Sequence, residues 1–131
     1  MGYLCKLLHG IDLNSLLSHT SRIAWPITFD EPANAALMSL SLDVAFELIQ
    51  VRTGVHGLKP AYRCGGIKPT GTADGVAAEL ENVLNRMRGE EGERKRKAAE
   101  MVRERFRQGW EEGGAASKDF RRLLMYATAD H

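Results

Sequence analysis

The sequence has no long apolar run, no strong excess of one charge and only two cysteines, and each shortage removes a class of protein. Nothing approaches the roughly 20 apolar residues that a transmembrane helix needs. The opening "MGYLCKLLHGIDL" is only briefly apolar and has no basic leader or small-residue cleavage site, so no signal peptide is expected. "MGYLCK" offers Gly2 but lacks the Ser or Thr that myristoylation requires at the sixth position. These readings predict a cytoplasmic chain. The formal net charge of +1 supplies no global field to draw in nucleic acid or a membrane surface. Cys5 and Cys64 lack a CxxC or Cys/His zinc spacing. That leaves either one long-range disulfide or two thiols in a reducing compartment, and the thiols are expected. No internal repeat is visible.

What is present suits one domain with a real core: 131 residues, 44% hydrophobic and 27% charged. Leu4, Leu7, Leu8, Leu13, Leu16 and Leu17 fall at helix spacing, interrupted by Gly10 and Asp12. They predict two short helices or one ragged one over 4–18, with a turn at "HGID". "RIAW" is a short apolar run stopped by Pro26, as in a buried parallel strand. "PANAALMSLSL" has proline near its start and helix formers after it, and "DVAFELI" alternates like a strand. The glycine-rich stretch from Gln50 to Gly75 reads as a long loop.

Beyond Thr72 the pattern is helical. Val76, Leu80, Val83, Leu84 and Met87 form one stripe, with Thr72 or Asp74 available as N-cap. A second helix carries Ala99, Val102, Phe106 and Trp110 on a stripe and ends at "EEGG", where Gly113 or Gly114 can take the left-handed cap. A third, from Ser117, is expected to place Phe120, Leu123 and Leu124 inward. The fold class expected is α/β, with an α/β portion over 1–71 and helices over 72–131.

Nine of the 18 Lys and Arg residues lie between Arg86 and Arg107, which could suggest a nucleic-acid-binding helix. However, Glu90, Glu91 and Glu93 each stand four residues before a base, at Arg94, Lys95 and Lys97. That order supports a solvated helix face, and no aromatic platform is interleaved. No nucleic-acid partner is expected.

The stretch "AWPITFDEPANAA" places Asp30 and Glu31 between the expected strand and a helix. In open α/β sheets, ligands gather at the carboxyl ends of strands. A carboxylate only accepts hydrogen bonds, so it suits neighbouring sugar hydroxyls, and charge-assisted bonds are the stronger kind. An acid before Pro32 also fits a helix start, where it caps N–H groups and complements the helix dipole. One carboxylate can cap while its neighbour faces a ligand.

"IAWPITFDEPANAALM" resembles the end of the donor-binding signature of UDP-dependent glycosyltransferases, which have two Rossmann-like lobes. There, Trp-Pro is followed by an Asp-Gln or Glu-Gln pair and often by Asn-Ala. "DVAFELIQVRTG", "PTGTADGVAAELENVL", "GERKRKAAEMVRERF" and "WEEGGAASKDFRRLL" are similar to the C-terminal end of fungal members. The resemblance runs from Ile23 to about Leu124. It implies a partial Rossmann-like C-terminal lobe, with Asp30 and Glu31 as the donor-sugar-binding pair. Glu31 replaces the usual Gln, an amide that both donates and accepts.

In "NSLLSHTSRIAWP", Asn14 and Ser15 fall on the positions that hold the diphosphate, where helix N–H groups receive phosphate. Ser18 stands in place of a ribose-binding Glu, and His9 lies one residue too far from Asn14 for the phosphate-contacting His. A second alignment puts that His at His19. The family transfers a sugar from a UDP-sugar, a co-substrate, to an acceptor hydroxyl, with inversion. A His oriented by an Asp removes the acceptor proton. Those residues belong to an N-terminal acceptor lobe that this chain lacks, as it lacks the uracil-stacking Trp. The resemblance thus implies a fragment with no catalytic residue, no metal and no cofactor of its own. Its partners would be a UDP-sugar, weakly bound, and the missing lobe. The alternative is a helical interaction module with a basic helix and no catalysis.

Overall fold

A computed structural model of the chain describes residues 5–8 as backbone, and 21–26, 31–61 and 64–128 in full. Three parallel strands make one sheet in the order β1-β2-β3: Cys5–Leu8 (β1), Ser21–Ala24 (β2) and Phe46–Glu47 (β3). Cys5 pairs in register with Ser21 and Leu8 with Ala24, while Ile23 faces Phe46. The helix expected at the start of 4–18 is therefore a strand over Cys5–Leu8. Four residues are too short to register a helical period, and parallel pairing with β2 gives this segment backbone bonds that an isolated helical turn would lack.

The strand expected at "RIAW" is present as β2, and all four of its residues are buried, as a central parallel strand requires. Its second residue is Arg22, whose guanidinium pKa is lowered by burial. The strand expected over 43–49 pairs only at Phe46–Glu47, although Val44, Ala45, Leu48 and Ile49 are also buried.

Between β2 and β3 runs α1 (Glu31–Ala36), which widens into a π-helical turn over Leu37–Ser41. There the Leu42 N–H reaches back five residues to the Leu37 carbonyl, at 2.9 Å. The chain leaves this turn through Asp43, whose φ is +54°, a left-handed conformation that Asp tolerates better than most side chains. The expected loop after β3 holds one helical turn, α2 (Gly54–Gly57), and a bridge between Ala61 and Ile67.

Three helices follow: α3 (Ala73–Arg88), α4 (Glu90–Trp110) and α5 (Ala115–Thr128). Thr72 is the N-cap of α3, its hydroxyl accepting the Gly75 N–H at 3.1 Å. α3 and α4 meet at a tight corner where Gly92 lies against the backbone of Met87. A Cβ at position 92 would sit 2.0 Å from the Met87 carbonyl oxygen. Between α4 and α5, Gly113 takes the left-handed turn with φ +82°.

The core has two clusters. Ile23, Phe46 and Leu48 from the sheet region pack against Val83 and Met87 of α3, with Trp25 at the margin. Met38, Val44 and Ala45 pack against Ala99 of α4. The α3 stripe expected from its spacing is buried at Val83 and Met87 and partly covered at Val76, Leu80 and Leu84. The inward packing expected of α5 does not occur. Phe120, Leu123 and Leu124 are 49%, 63% and 48% exposed, and Phe106 and Trp110 of α4 are also exposed. Trp110 and Phe120 meet edge to face at 6.1 Å. Among the described residues, no helix is long and apolar enough to cross a membrane.

Candidate functional site

Glu31 opens α1 just beyond the carboxyl end of the central strand β2, the topological position at which α/β sheets gather ligands. It lines a crevice with Trp25, Pro26, Asn34, Ala35 and Met38. The crevice encloses about 10 Å³, room for about one water and not for a sugar ring. Asp30, its expected companion, lies outside the described residues, as do Asn14, Ser15, His9 and His19. Asn34, one helical turn beyond Glu31, is the polar neighbour that the sequence reading did not single out. Its signal was the three-residue spacing after Glu31.

A larger hollow lies beside β3, an edge strand of the described sheet. The π-helical turn supplies Ser39 and Leu40, β3 supplies Glu47, and one face of α3 supplies Glu79, Asn82 and Arg86. Ile67 and Cys64 complete its outer wall, and the hollow encloses about 380 Å³. Cys64 is a thiol and half-buried.

The polar groups of this groove are held in place. Glu47, its side chain 4% exposed, receives Arg52 Nη2 at 2.8 Å and the Ser39 hydroxyl at 3.3 Å. Glu79 accepts the backbone N–H groups of Ile49 and Gln50, both at 2.8 Å, and so fastens the chain beyond β3 to α3. Arg86 gives two bonds of 2.7 Å to Glu91 across the α3–α4 corner. Those bonds raise the Arg86 pKa and lower that of Glu91. The guanidinium of Arg86 also lies 5.2 Å from the Phe46 ring centroid, and the Lys95 ammonium lies 4.9 Å from it.

The run of charge on α4 divides. Glu93 and Lys97 form the expected solvated pair, at 4.0 Å. Lys95 departs from the expected solvated face: it is buried and bonds Asp43 at 2.6 Å, beside the ion pair of Asp43 with Arg94. The four-residue rule reads a helix by itself, and the partner that captures Lys95 lies far away in sequence. Among the described residues, no cluster of His, Cys, Asp and Glu could hold a metal ion. Compared with known proteins, the chain matches no protein family, no curated protein and no solved structure.

Proposed function

We propose that the chain is the C-terminal portion of a glycosyltransferase that moves a sugar from a UDP-sugar to an acceptor hydroxyl. In this reading it is a partial Rossmann-like lobe that keeps a degenerate donor-sugar site and does not turn over alone. The observation that carries the proposal is the place of Glu31, at the first turn of α1 after the central parallel strand, against Trp25 and Pro26. The residue order Trp-Pro, acidic pair and Asn-Ala then accompanies the carboxyl end of a parallel strand, where ligands gather in such sheets. The one-water size of the crevice supports degeneracy.

In the complete reaction, a base in the acceptor lobe takes the hydroxyl proton. The freed oxygen bonds to the anomeric carbon, and the bond from that carbon to the diphosphate breaks, releasing UDP. Residues of this chain would only orient the donor.

Titration of the chain with UDP-glucose tests the proposal. Weak binding is expected, no tighter than about millimolar, at Trp25 and Asn34, without glucosyl product. Glu31→Gln restores the amide typical of the family and is expected to tighten binding severalfold. Turnover by the isolated chain, or no response at these residues with either protein, would overturn it.

A second reading, an interaction module, is favoured by the exposed apolar face of α4 and α5. Its basic contacts would come from Lys97, Lys118 and Arg121, and not from the buried Lys95.

A further inference from the structure

We propose that the groove between the π-helical turn, β3 and α3 binds a small polyhydroxylated ring, of the size of a monosaccharide. This does not rest on the transferase reading, because neither Asp30 nor Glu31 lines the groove.

Its volume of about 380 Å³ falls in the range of small-molecule pockets and is far above the one-water crevice at Glu31. The wall is mixed, as such sites are. Leu40, Ile49, Ile67 and Val83 give apolar surface for the face of a ring, while Glu47, Glu79 and Asn82 give polar contacts for its edge. The polar groups on α3 follow the helical repeat, so Glu79, Asn82 and Arg86 point to one side and Leu80, Leu84 and Met87 to the core. The π-helical turn displaces the register of α1 where Ser39 and Leu40 reach the groove, and such turns are frequent at functional sites.

The hydrogen-bonding balance selects the ligand. Each oxygen of Glu79 takes one backbone N–H, and a carboxylate has about four acceptor positions, so acceptor capacity remains. No cation pairs with Glu79 among the described residues. Glu47 is neutralised by Arg52, and Arg86 by Glu91. The groove is therefore rich in acceptors, with Glu79 a carboxylate held only by backbone N–H groups, which favours a ligand with several O–H donors.

Titrating the whole chain with methyl glucoside, followed by NMR of backbone and Asn side-chain amides, tests the proposal. Saturable shifts are expected at Asn82, Ile67 and Val83, with an affinity of roughly millimolar for so small a ligand. Glu79→Gln and Asn82→Ala should each weaken binding, the first by at least about tenfold because a bond to the Glu79 carboxylate is charge-assisted. Asn82 is exposed, so its variant keeps the fold even if the other does not. Cyclohexylamine binding in the groove in preference to the glucoside would overturn the ligand class. Shifts that do not saturate, or that persist unchanged in Asn82→Ala, would overturn the site.

Discussion

Lys95 and Lys97 stand two positions apart on the same helix, and their surroundings make them different residues. The Lys95 side chain is 8% exposed, bonded to Asp43 and stacked on Phe46, whereas that of Lys97 is 72% exposed. Lys95→Glu would set a carboxylate against Asp43 in a desolvated position, and is expected to cost roughly 3 kcal/mol or more. Lys97→Glu should cost less than about 1 kcal/mol, the range of a solvated pair. Urea unfolding of the two variants measures the difference, and equal effects would refute the packing described for Lys95.

Glu91 gives a second test at this scale. Its carboxyl is held below the ordinary value of 4.5, first by the hydrogen bonds from Arg86. A lowered carboxyl pKa stabilises the fold at any pH above the unfolded value of about 4.5, and the effect fades as pH falls through the lower folded value. Arg86 is half exposed, so the contribution is under about 1 kcal/mol. In Glu91→Gln that acid-dependent loss should disappear, as read from unfolding midpoints at pH 7 and near pH 3.

At the scale of elements, α3 joins local encoding to tertiary use. Its start is fixed by the Thr72 hydroxyl on the Gly75 N–H, and Thr72→Ala is expected to cost about 1 kcal/mol. Thermal unfolding would show it, and Thr72→Ser should recover most of the loss. The same helix buries Val83 and Met87 against the sheet and turns Glu79 outward to hold the backbone after β3. The cap and the apolar stripe were legible because both depend on neighbours within a turn or two. The role of Glu79 was not, since its partners lie about thirty residues earlier. The same limit applies to β1, whose few residues follow a helical spacing and pair as a strand.

For the whole molecule, the main feature is how its apolar surface is divided. The stripe on α4 is buried at Ala99, partly covered at Val102 and open at Phe106 and Trp110, and it continues onto α5. No residue of α5 is buried, and isolated helices of its length are marginal in water. Contiguous exposed apolar surface of this kind favours association in water. Replacing Phe120, Leu123 and Leu124 together by Ser is therefore expected to leave the unfolding midpoint of the α3–α4 core nearly unchanged and to lower self-association. Sedimentation and thermal unfolding on the same samples check both. A collapse of the core transition would show that α5 contributes to it.

By itself the sequence determined the helices beyond Thr72, narrowed the first cap to Thr72 or Asp74 and the left-handed turn to Gly113 or Gly114, and marked a buried strand at "RIAW", because each follows from short-range spacing or from one residue's conformational limits. It also placed Glu31 at the meeting of strand and helix. Only the tertiary structure decided which apolar stripes find a partner, that Cys5–Leu8 joins a sheet, that Lys95 is drawn inward by Asp43, and that side chains from three separate elements enclose a groove. Those outcomes depend on contacts between distant parts of the chain, and no local period encodes them.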